Sequence, residues 1–349
     1  MLETNYKDIF KIDKNKLDEI DPEIYQLLEF WKSNKNEILV NTSGSTGKPK
    51  TIKISRQQLI NSSKATLRYF KLKENLTFLN CLPVRYIGGK MMIIRGIIGK
   101  ANFVLCKPSV NPVRKLQKEI DFMAITPLQL DSLLKNITIF SKIRLAIVGG
   151  GKVSESLIEQ LQDIPYDCFE TYGMTETVSH IAVRNLKKHT ENNPFKCLEN
   201  NSVTTNSNDQ LVINSKYLKI SSLTTNDIAK VTGNKYFTIN GRVDNIINSG
   251  GFKVSSENIE ELLYQNFQNK LFFIDKIKCD KLGEKIILIA DEKIKLEELV
   301  ISIRKIKDKK KRPKEIYFTN RFYYNENQKI DRPKTKTKAL SSNIIHKLN

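Results

Sequence analysis

The stretch Val40-Asn41-Thr42-Ser43-Gly44-Ser45-Thr46-Gly47-Lys48-Pro49-Lys50-Thr51-Ile52-Lys53 packs hydroxyls, glycines and cations into one short run. Residues 38–40 ahead of it are apolar, and Ile52 and Ile54 behind it alternate with polar neighbours, which predicts strand, loop, strand. Gly44 and Gly47 free the backbone to turn and leave its N–H groups open. Thr42, Ser43, Ser45 and Thr46 add hydroxyl donors, and Lys48 and Lys50 add charge. Such a loop can wrap a polyphosphate. It is not the common P-loop, because Gly44 and Gly47 stand too close together and Pro49 follows Lys48. On these residues alone, a Ser/Gly surface turn remains the open alternative.

Working outward, the chain alternates apolar strand-like runs with helical patterns. Ser55 is a good N-cap for a helix carrying Leu59, Ile60, Leu67 and Phe70. Strands are expected at residues 76–82, 102–106, 120–125, 143–148 and 166–169. Helices are expected at 91–98, 112–118, 127–134 and 154–161. Residues 1–36 read as short helices, and 185–208 as an Asn-rich irregular stretch. Further on, 211–213, 217–220, 272–279, 285–290 and 316–318 read as strands and 296–306 as a helix. Alternating strand and helix implies an α/β fold with parallel sheet flanked by helices, with ligands beyond the carboxyl ends of the strands. Gly149-Gly150-Gly151 lies at one such end and suggests close backbone approach to something bulky.

Composition bounds the function. The chain has 349 residues, which suggests about two domains. Its net charge of +20 comes from 58 Lys+Arg against 38 Asp+Glu, spread along the whole length, with the densest run at 305–314. Spread charge favours compositional bias over a nucleic-acid footprint. The five cysteines are odd in number and form no Cys-x-x-Cys pair, so neither a disulfide framework nor a zinc site is indicated. Residues 1–16 are charged and mixed rather than leader-like, and no apolar run is long enough to span a membrane. A reducing cytoplasm is the expected location.

The opening loop resembles the phosphate-binding signature of the adenylate-forming superfamily, roughly Thr-Ser-Gly-Ser/Thr-Thr-Gly-x-Pro-Lys. The superfamily comprises acyl-CoA synthetases, luciferases and peptide-synthetase adenylation domains. Companion motifs follow in family order. Phe169-Glu170-Thr171-Tyr172-Gly173-Met174-Thr175-Glu176 resembles Tyr-Gly-Met-Thr-Glu. Thr224-Thr225-Asn226-Asp227 resembles Thr-Gly-Asp, with Asn226 in place of glycine. Gly241-Arg242-Val243-Asp244 with Gly250-Gly251 matches Gly-Arg-x-Asp and its trailing glycine. Asn327-Gln328-Lys329-Ile330-Asp331-Arg332 resembles Asn-Gly-Lys-Ile-Asp-Arg, with Gln328 replacing glycine. Leu82-Pro83-Val84-Arg85-Tyr86-Ile87-Gly88-Gly89 resembles the segment that lines the acyl pocket, with Arg85 or Tyr86 where the family has an aromatic or His.

The resemblance implies a two-domain enzyme: a large ATP- and acyl-binding domain at 1–243 and a small mobile α+β domain at 244–349, hinged near Asp244. It implies ATP, Mg2+ and CoA. Residues 42–48, Gly150, Gly151, Thr171, Tyr172, Gly173, Asp227 and Arg242 would bind the nucleotide. Tyr172 would stack on adenine, Asp227 would accept from the ribose hydroxyls and Arg242 would bridge ribose and phosphate. Thr175 and Glu176 would serve catalysis, with Glu176 the magnesium ligand, and Lys329 rather than Lys338 would be the adenylation lysine. Gly250 and Gly251 would let a pantetheine chain pass. The acyl pocket would draw on Arg85, Tyr86, Gly89, Lys90, Arg95 and Gly149. Gly88-Gly89-Lys90-Met91-Met92 with Arg95 is similar to short bacterial o-succinylbenzoate–CoA ligases of menaquinone synthesis. That acid is a dicarboxylate, so one carboxylate reacts and Arg85, Lys90 or Arg95 would anchor the other. The alternatives are another aryl- or acyl-CoA ligase, an adenylation enzyme loading a carrier protein, and a non-enzymatic basic binding protein. Oligomeric state is left open.

Overall fold

The computed structural model describes the chain except residues 42–49, 114–115, 137–141, 163, 165–166, 189–192, 265, 268–269, 325–329, 343–344 and 349. The fold is α/β. The chain resolves into two compact units. The first comprises Met1–Thr204, Val212–Leu223 and Val231–Thr238; the second comprises Thr205–Leu211, Thr224–Lys230 and Ile239–Asn349. The division is therefore not a single cut: pieces ahead of the expected domain boundary group with the C-terminal residues.

In the first unit, β1 (Leu2–Asn5), β4 (Thr77–Asn80), β5 (Asn102–Leu105), β6 (Phe122–Ile125), β7 (Leu145–Val148), β8 (Asp167–Gly173) and β9 (His180–Asn185) lie in the order β1-β5-β4-β6-β7-β8-β9. The strands from β5 to β8 are mutually parallel. Helices Ile87–Ile98, Pro127–Leu134 and Glu155–Gln160 supply the crossovers that parallel neighbours need. The sheet is mixed rather than purely parallel. Only a short turn separates β8 from β9, so that pair is antiparallel, as is the edge pair β1/β5. Every residue of Phe122–Ile125 is buried, the continuous apolar run expected of a strand covered on both faces. The core packs Leu79, Met123, Ile125 and Val148 against Leu130 and Ile158 on one side, and Phe78, Met92 and Phe122 on the other.

Hairpin β2 (Glu37–Asn41) and β3 (Thr51–Ser55) forms its own two-stranded sheet. Ser55 caps the following helix Arg56–Tyr69 through a reciprocal bond with Gln58. In the second unit, the antiparallel hairpin Phe272–Cys279 and Gly283–Asp291 carries a parallel neighbour, Glu315–Thr319. The connection into that neighbour holds helix Leu296–Lys305. Ile259, Leu263, Ile286, Leu288 and Leu299 form its core.

Several sequence expectations are corrected. Leu2–Asn5 is an edge strand, not helix, because its backbone pairs with β5. The expected helix at 112–118 is not helical among its described residues: Val113 and Leu116 are buried by one turn, closed by Leu116 N–H to Val113 O. The Asn-rich stretch holds strands Phe195–Cys197 and Asn201–Thr205, since buried Phe195 and Cys197 flank exposed Lys196. The expected strand at 217–220 is a turn up to Lys219, which has φ +56°, and a strand starts only at Ile220. Lys338, the rival to Lys329, lies inside helix Arg332–Ser341. Among the described residues no helix is long and apolar enough to cross a membrane.

Candidate active site

The first unit gathers one group of the expected residues around the ends of β7 and β8. Gly149 follows β7, and Thr171 donates to Val148 O at 3.0 Å. A Cβ on Gly149 would fall 2.5 Å from Thr171 Oγ1, so the position admits no side chain. Gly150 takes φ +83°, a backbone state that favours glycine. Gly151 runs past Pro127, the first residue of a helix. The glycine segment is tied down at Val153, whose N–H donates to buried Glu170 at 3.1 Å. Glu170 in turn accepts from Arg184 Nε at 2.6 Å. Tyr172 packs edge-on to Phe237 and tilted to Phe195, with centroids 5.1 and 5.8 Å apart. Gly173 is a close-packing glycine: a Cβ there would sit 2.3 Å from Ser179 O. Thr175 and the exposed Glu176 form a single 3-10 turn, Thr175–Thr177.

That turn ends in a strained residue. Val178 has φ +64° and ψ −42°, and Ser179 N–H donates across it to Thr177 O at 2.7 Å. A β-branched residue adopts such a γ-turn only when its surroundings hold it there. Here the turn aims Ser179 and His180 back into the unit.

Those two residues meet the acyl-pocket candidates. Helix Ile87–Ile98 starts directly after Tyr86, and Gly89 packs so close to the preceding loop that a Cβ would lie 2.4 Å from Pro83 O. The three candidate cations behave differently. Arg85 is exposed and stacks over Tyr86 at 4.8 Å. Lys90 is buried, but Glu23 lies 3.8 Å from its ammonium; burial lowers its pKa while Glu23 pulls it back up. Arg95 is 1% exposed. Its Nη2 donates to Ser179 Oγ at 2.6 Å and its Nε to Thr66 Oγ1 at 3.3 Å. Nη2 also lies 3.5 Å from His180 Nδ1. Among the described residues no carboxylate pairs with it. Burial pushes the Arg95 pKa down to about 9, so the guanidinium is still charged at neutral pH. His180 is held well below its ordinary value, first by burial and then by Arg95, and is neutral. With Nδ1 accepting, its Nε2–H points to Thr66 Oγ1 at 3.1 Å.

In the second unit, Asp227 lies on the long strand Ile220–Thr232 and is buried. Arg242 forks between Asp227 at 3.2 Å and Asp244 at 3.1 Å. Asn226 donates to the same Asp244 oxygen at 3.2 Å. Gly250 and Gly251, at φ +58° and +83°, make the tip of hairpin Ile246–Ser249/Phe252–Ser255. Residues 42–48 and Lys329 fall outside the described residues. Next to Lys329 in the chain, Tyr324 bridges to Ile330 and Arg332 forks on Glu260 at 2.9 Å. Among the described residues no group of three or more potential ligands gathers for a metal. A single carboxylate such as Glu176 suits Mg2+ that arrives on a phosphate chain.

Residues 14–200, more than half of the chain, match the profile of the family described as AMP-binding enzyme. The chain belongs to this family. The AMP-binding enzyme is 24% identical over 343 residues to a 2-succinylbenzoate–CoA ligase of Lactococcus lactis, covering 88% of this chain and 75% of that protein. It is similar in structure to an acyl-CoA synthetase (AMP-forming)/AMP-acid ligase II-like protein from Dyadobacter fermentans. There the identity is 29%, the TM-score 0.63, and the match covers 97% of this chain and 99% of the other. An o-succinylbenzoate coenzyme A synthetase from Bacillus subtilis, solved with ATP and magnesium ion, shares the fold. It gives a TM-score of 0.75 at 20% identity, over 91% of this chain and 78% of the other. The superfamily resemblance read from the motifs is thereby borne out, as is the α/β class.

Sequence reasoning passed over Thr66, Ser179 and His180. One signal was available: the chain has three histidines, and His180 stands just behind the Thr175-Glu176 motif.

Proposed function

We propose that the AMP-binding enzyme is an ATP-dependent acid–thiol ligase that converts o-succinylbenzoate to o-succinylbenzoyl-CoA in menaquinone synthesis. Family membership supports the ligase chemistry, and the named relatives point to the acid. The observation on this chain that carries the dicarboxylate is Arg95. A buried guanidinium with only neutral partners among the described residues is an expensive arrangement, and a second substrate carboxylate would supply the missing charge. Lys90 already has Glu23, and Arg85 lies exposed against Tyr86.

The chemistry has two halves. The reacting carboxylate oxygen attacks the α-phosphorus of ATP; the P–O bond to the β-phosphate breaks, leaving acyl-adenylate and pyrophosphate. The CoA thiol then attacks the acyl carbon and AMP leaves. Bound Mg2+ would neutralise phosphate charge, with Glu176 as its ligand. The chain's own work is positioning and charge stabilisation. Residues 42–48 would hold phosphates and Gly149-Gly150-Gly151 would admit the adenylate against bare backbone. Thr171, Tyr172 and Gly173 would bind the nucleotide and Thr175 a phosphate oxygen. Asp227 and Arg242 would hold ribose, Lys329 would balance charge in adenylation, and Gly250-Gly251 would pass pantetheine. Asp244, bonded to Arg242 and Asn226, would be the hinge between residues 1–243 and 244–349.

The test is a panel of acids with ATP and CoA, read as pyrophosphate release and thioester formation. o-Succinylbenzoate should exceed benzoate, salicylate and medium-chain fatty acids in kcat/KM. A simple monocarboxylate winning by more than about tenfold, roughly 1.4 kcal/mol, would overturn the assignment of the acid. Pyrophosphate release without transfer to CoA would favour a carrier-protein acceptor instead.

A further inference from the structure

Three elements of the first unit meet at the Arg95 guanidinium. Arg95 sits on helix Ile87–Ile98, Thr66 on helix Arg56–Tyr69, and His180 opens β9. All three side chains are buried.

Counting protons fixes how they face one another. The one hydroxyl proton of Thr66 goes to Ser62 O at 3.2 Å. Thr66 Oγ1 can then only accept, from Arg95 Nε at 3.3 Å and from His180 Nε2 at 3.1 Å. His180 therefore carries its proton on Nε2. Burial, and then the charge of Arg95, hold the imidazole neutral, so Nδ1 is an acceptor; it faces Arg95 Nη2 at 3.5 Å. Ser179 Oγ accepts from the same Nη2 at 2.6 Å.

Thr66, Ser179 and His180 thus engage Nε and Nη2 alone. Nη1 is different. Among the described residues it reaches no oxygen, and its one partner is Met92 Sδ at 3.9 Å. A buried guanidinium that has no counter-charge among the described residues calls for an anion, and its unspent donors are on Nη1. The group is planar, so holding Nε and Nη2 also fixes where Nη1 points. A side chain ordered in advance loses no rotamer freedom when its ligand arrives.

We propose that Thr66 and His180 are positioning residues for specificity: they hold the Arg95 guanidinium so that Nη1 meets the second carboxylate of the acid, and neither touches the reacting atoms. The inference rests on the reading of Arg95 as the anchor of that carboxylate. A residue that only stabilised the fold would lower the active fraction and leave the choice between acids unchanged.

The experiment measures pyrophosphate release on o-succinylbenzoate and on benzoate, which lacks the second carboxylate. The readout is the ratio of the two kcat/KM values; both come from one preparation, so any loss of folded protein cancels. His180→Leu and Thr66→Val should each lower the ratio about tenfold, the scale of a small misplacement. The change should lie in KM for o-succinylbenzoate, with KM for ATP unchanged. His180→Gln keeps an N–H donor and an acceptor, Thr66→Ser keeps the hydroxyl, and both should recover most of the ratio. Arg95→Met is run beside them. If it loses the preference for the dicarboxylate while His180→Leu and Thr66→Val keep it, the inference is overturned and the reading of Arg95 stands. If Arg95→Met itself keeps the preference, that reading falls and the inference falls with it. Should His180→Leu not fold, Thr66→Val decides by the same ratio.

Discussion

Replacing Arg95 by methionine should separate stability from substrate choice. In the protein without substrate, the guanidinium is buried among Thr66, Met92, Ser179 and His180. The fall of its pKa from 12.5 to about 9 corresponds to about 5 kcal/mol against the charged form. Against that cost stand one short bond to Ser179 and a longer one to Thr66, together worth about 2–4 kcal/mol. Methionine keeps much of the side-chain volume and needs no charged partner. Thr66 still bonds Ser62 O, and Ser179 still lies 3.4 Å from His180, so little is orphaned. The variant should therefore be as stable as wild type or more so by about 1–3 kcal/mol, as found when buried charges give way to apolar isosteres. Each kcal/mol should appear as about 2–4 °C in Tm. Catalysis should move the other way. In the Arg95→Met variant, a second carboxylate entering the site would be buried without its cation, a loss of about 2–5 kcal/mol. That is a fall of at least about thirtyfold in kcat/KM for o-succinylbenzoate, with benzoate nearly unaffected. Thermal melts and pyrophosphate release on both acids measure it. A large drop in Tm with the preference for the dicarboxylate intact would refute the reasoning.

Three further outcomes are expected. His180 is held neutral in the native state, so the unfolded chain takes up a proton near pH 6.5 that the native chain refuses; stability is full above that pH and should fall by about 2 kcal/mol between pH 7 and 5. Denaturant midpoints of wild type and His180→Gln at both pH values test this, and an equal drop in the variant would clear His180 of the effect. Lys329→Ala should lower kcat for adenylation by about 10²–10³, while Lys338→Ala, altering an exposed residue of helix Arg332–Ser341, should act like wild type; the reverse pattern would move the assignment to Lys338. Asp244→Pro fixes φ at the expected hinge and should spare adenylate formation while CoA transfer falls. Asp244→Ala serves as the control, because it removes the same carboxylate from Arg242 and Asn226 without stiffening the backbone; equal loss of both half-reactions in the proline variant alone would end the hinge assignment.

What could be read from the chain and what could not divide along a physical line. Residues proposed to meet a nucleotide follow one another in the type, order and local spacing of short motifs, so Tyr172, Asp227 and Arg242 could be proposed from the chain as a series. The Arg95 cluster has no such local grammar. Its bonds join Arg95 to Thr66 across 29 positions and to Ser179 across 84, and only packing of a helix against a strained turn brings them together. The strands at Phe195–Cys197 and Asn201–Thr205 were hidden for a related reason: the asparagines of the surrounding 185–208 stretch read as loop by composition, while the deciding alternation spans only a few residues. Asn226 sits between the two cases. It departs from the family glycine, which by itself casts doubt on the motif. In the structure its amide donates to Asp244 Oδ2, the oxygen that also accepts from Arg242 Nη2. A glycine has no such donor. The substitution therefore adds a donor to the very carboxylate proposed as the hinge, and it leaves Asp227, its neighbour in the motif, buried against Arg242.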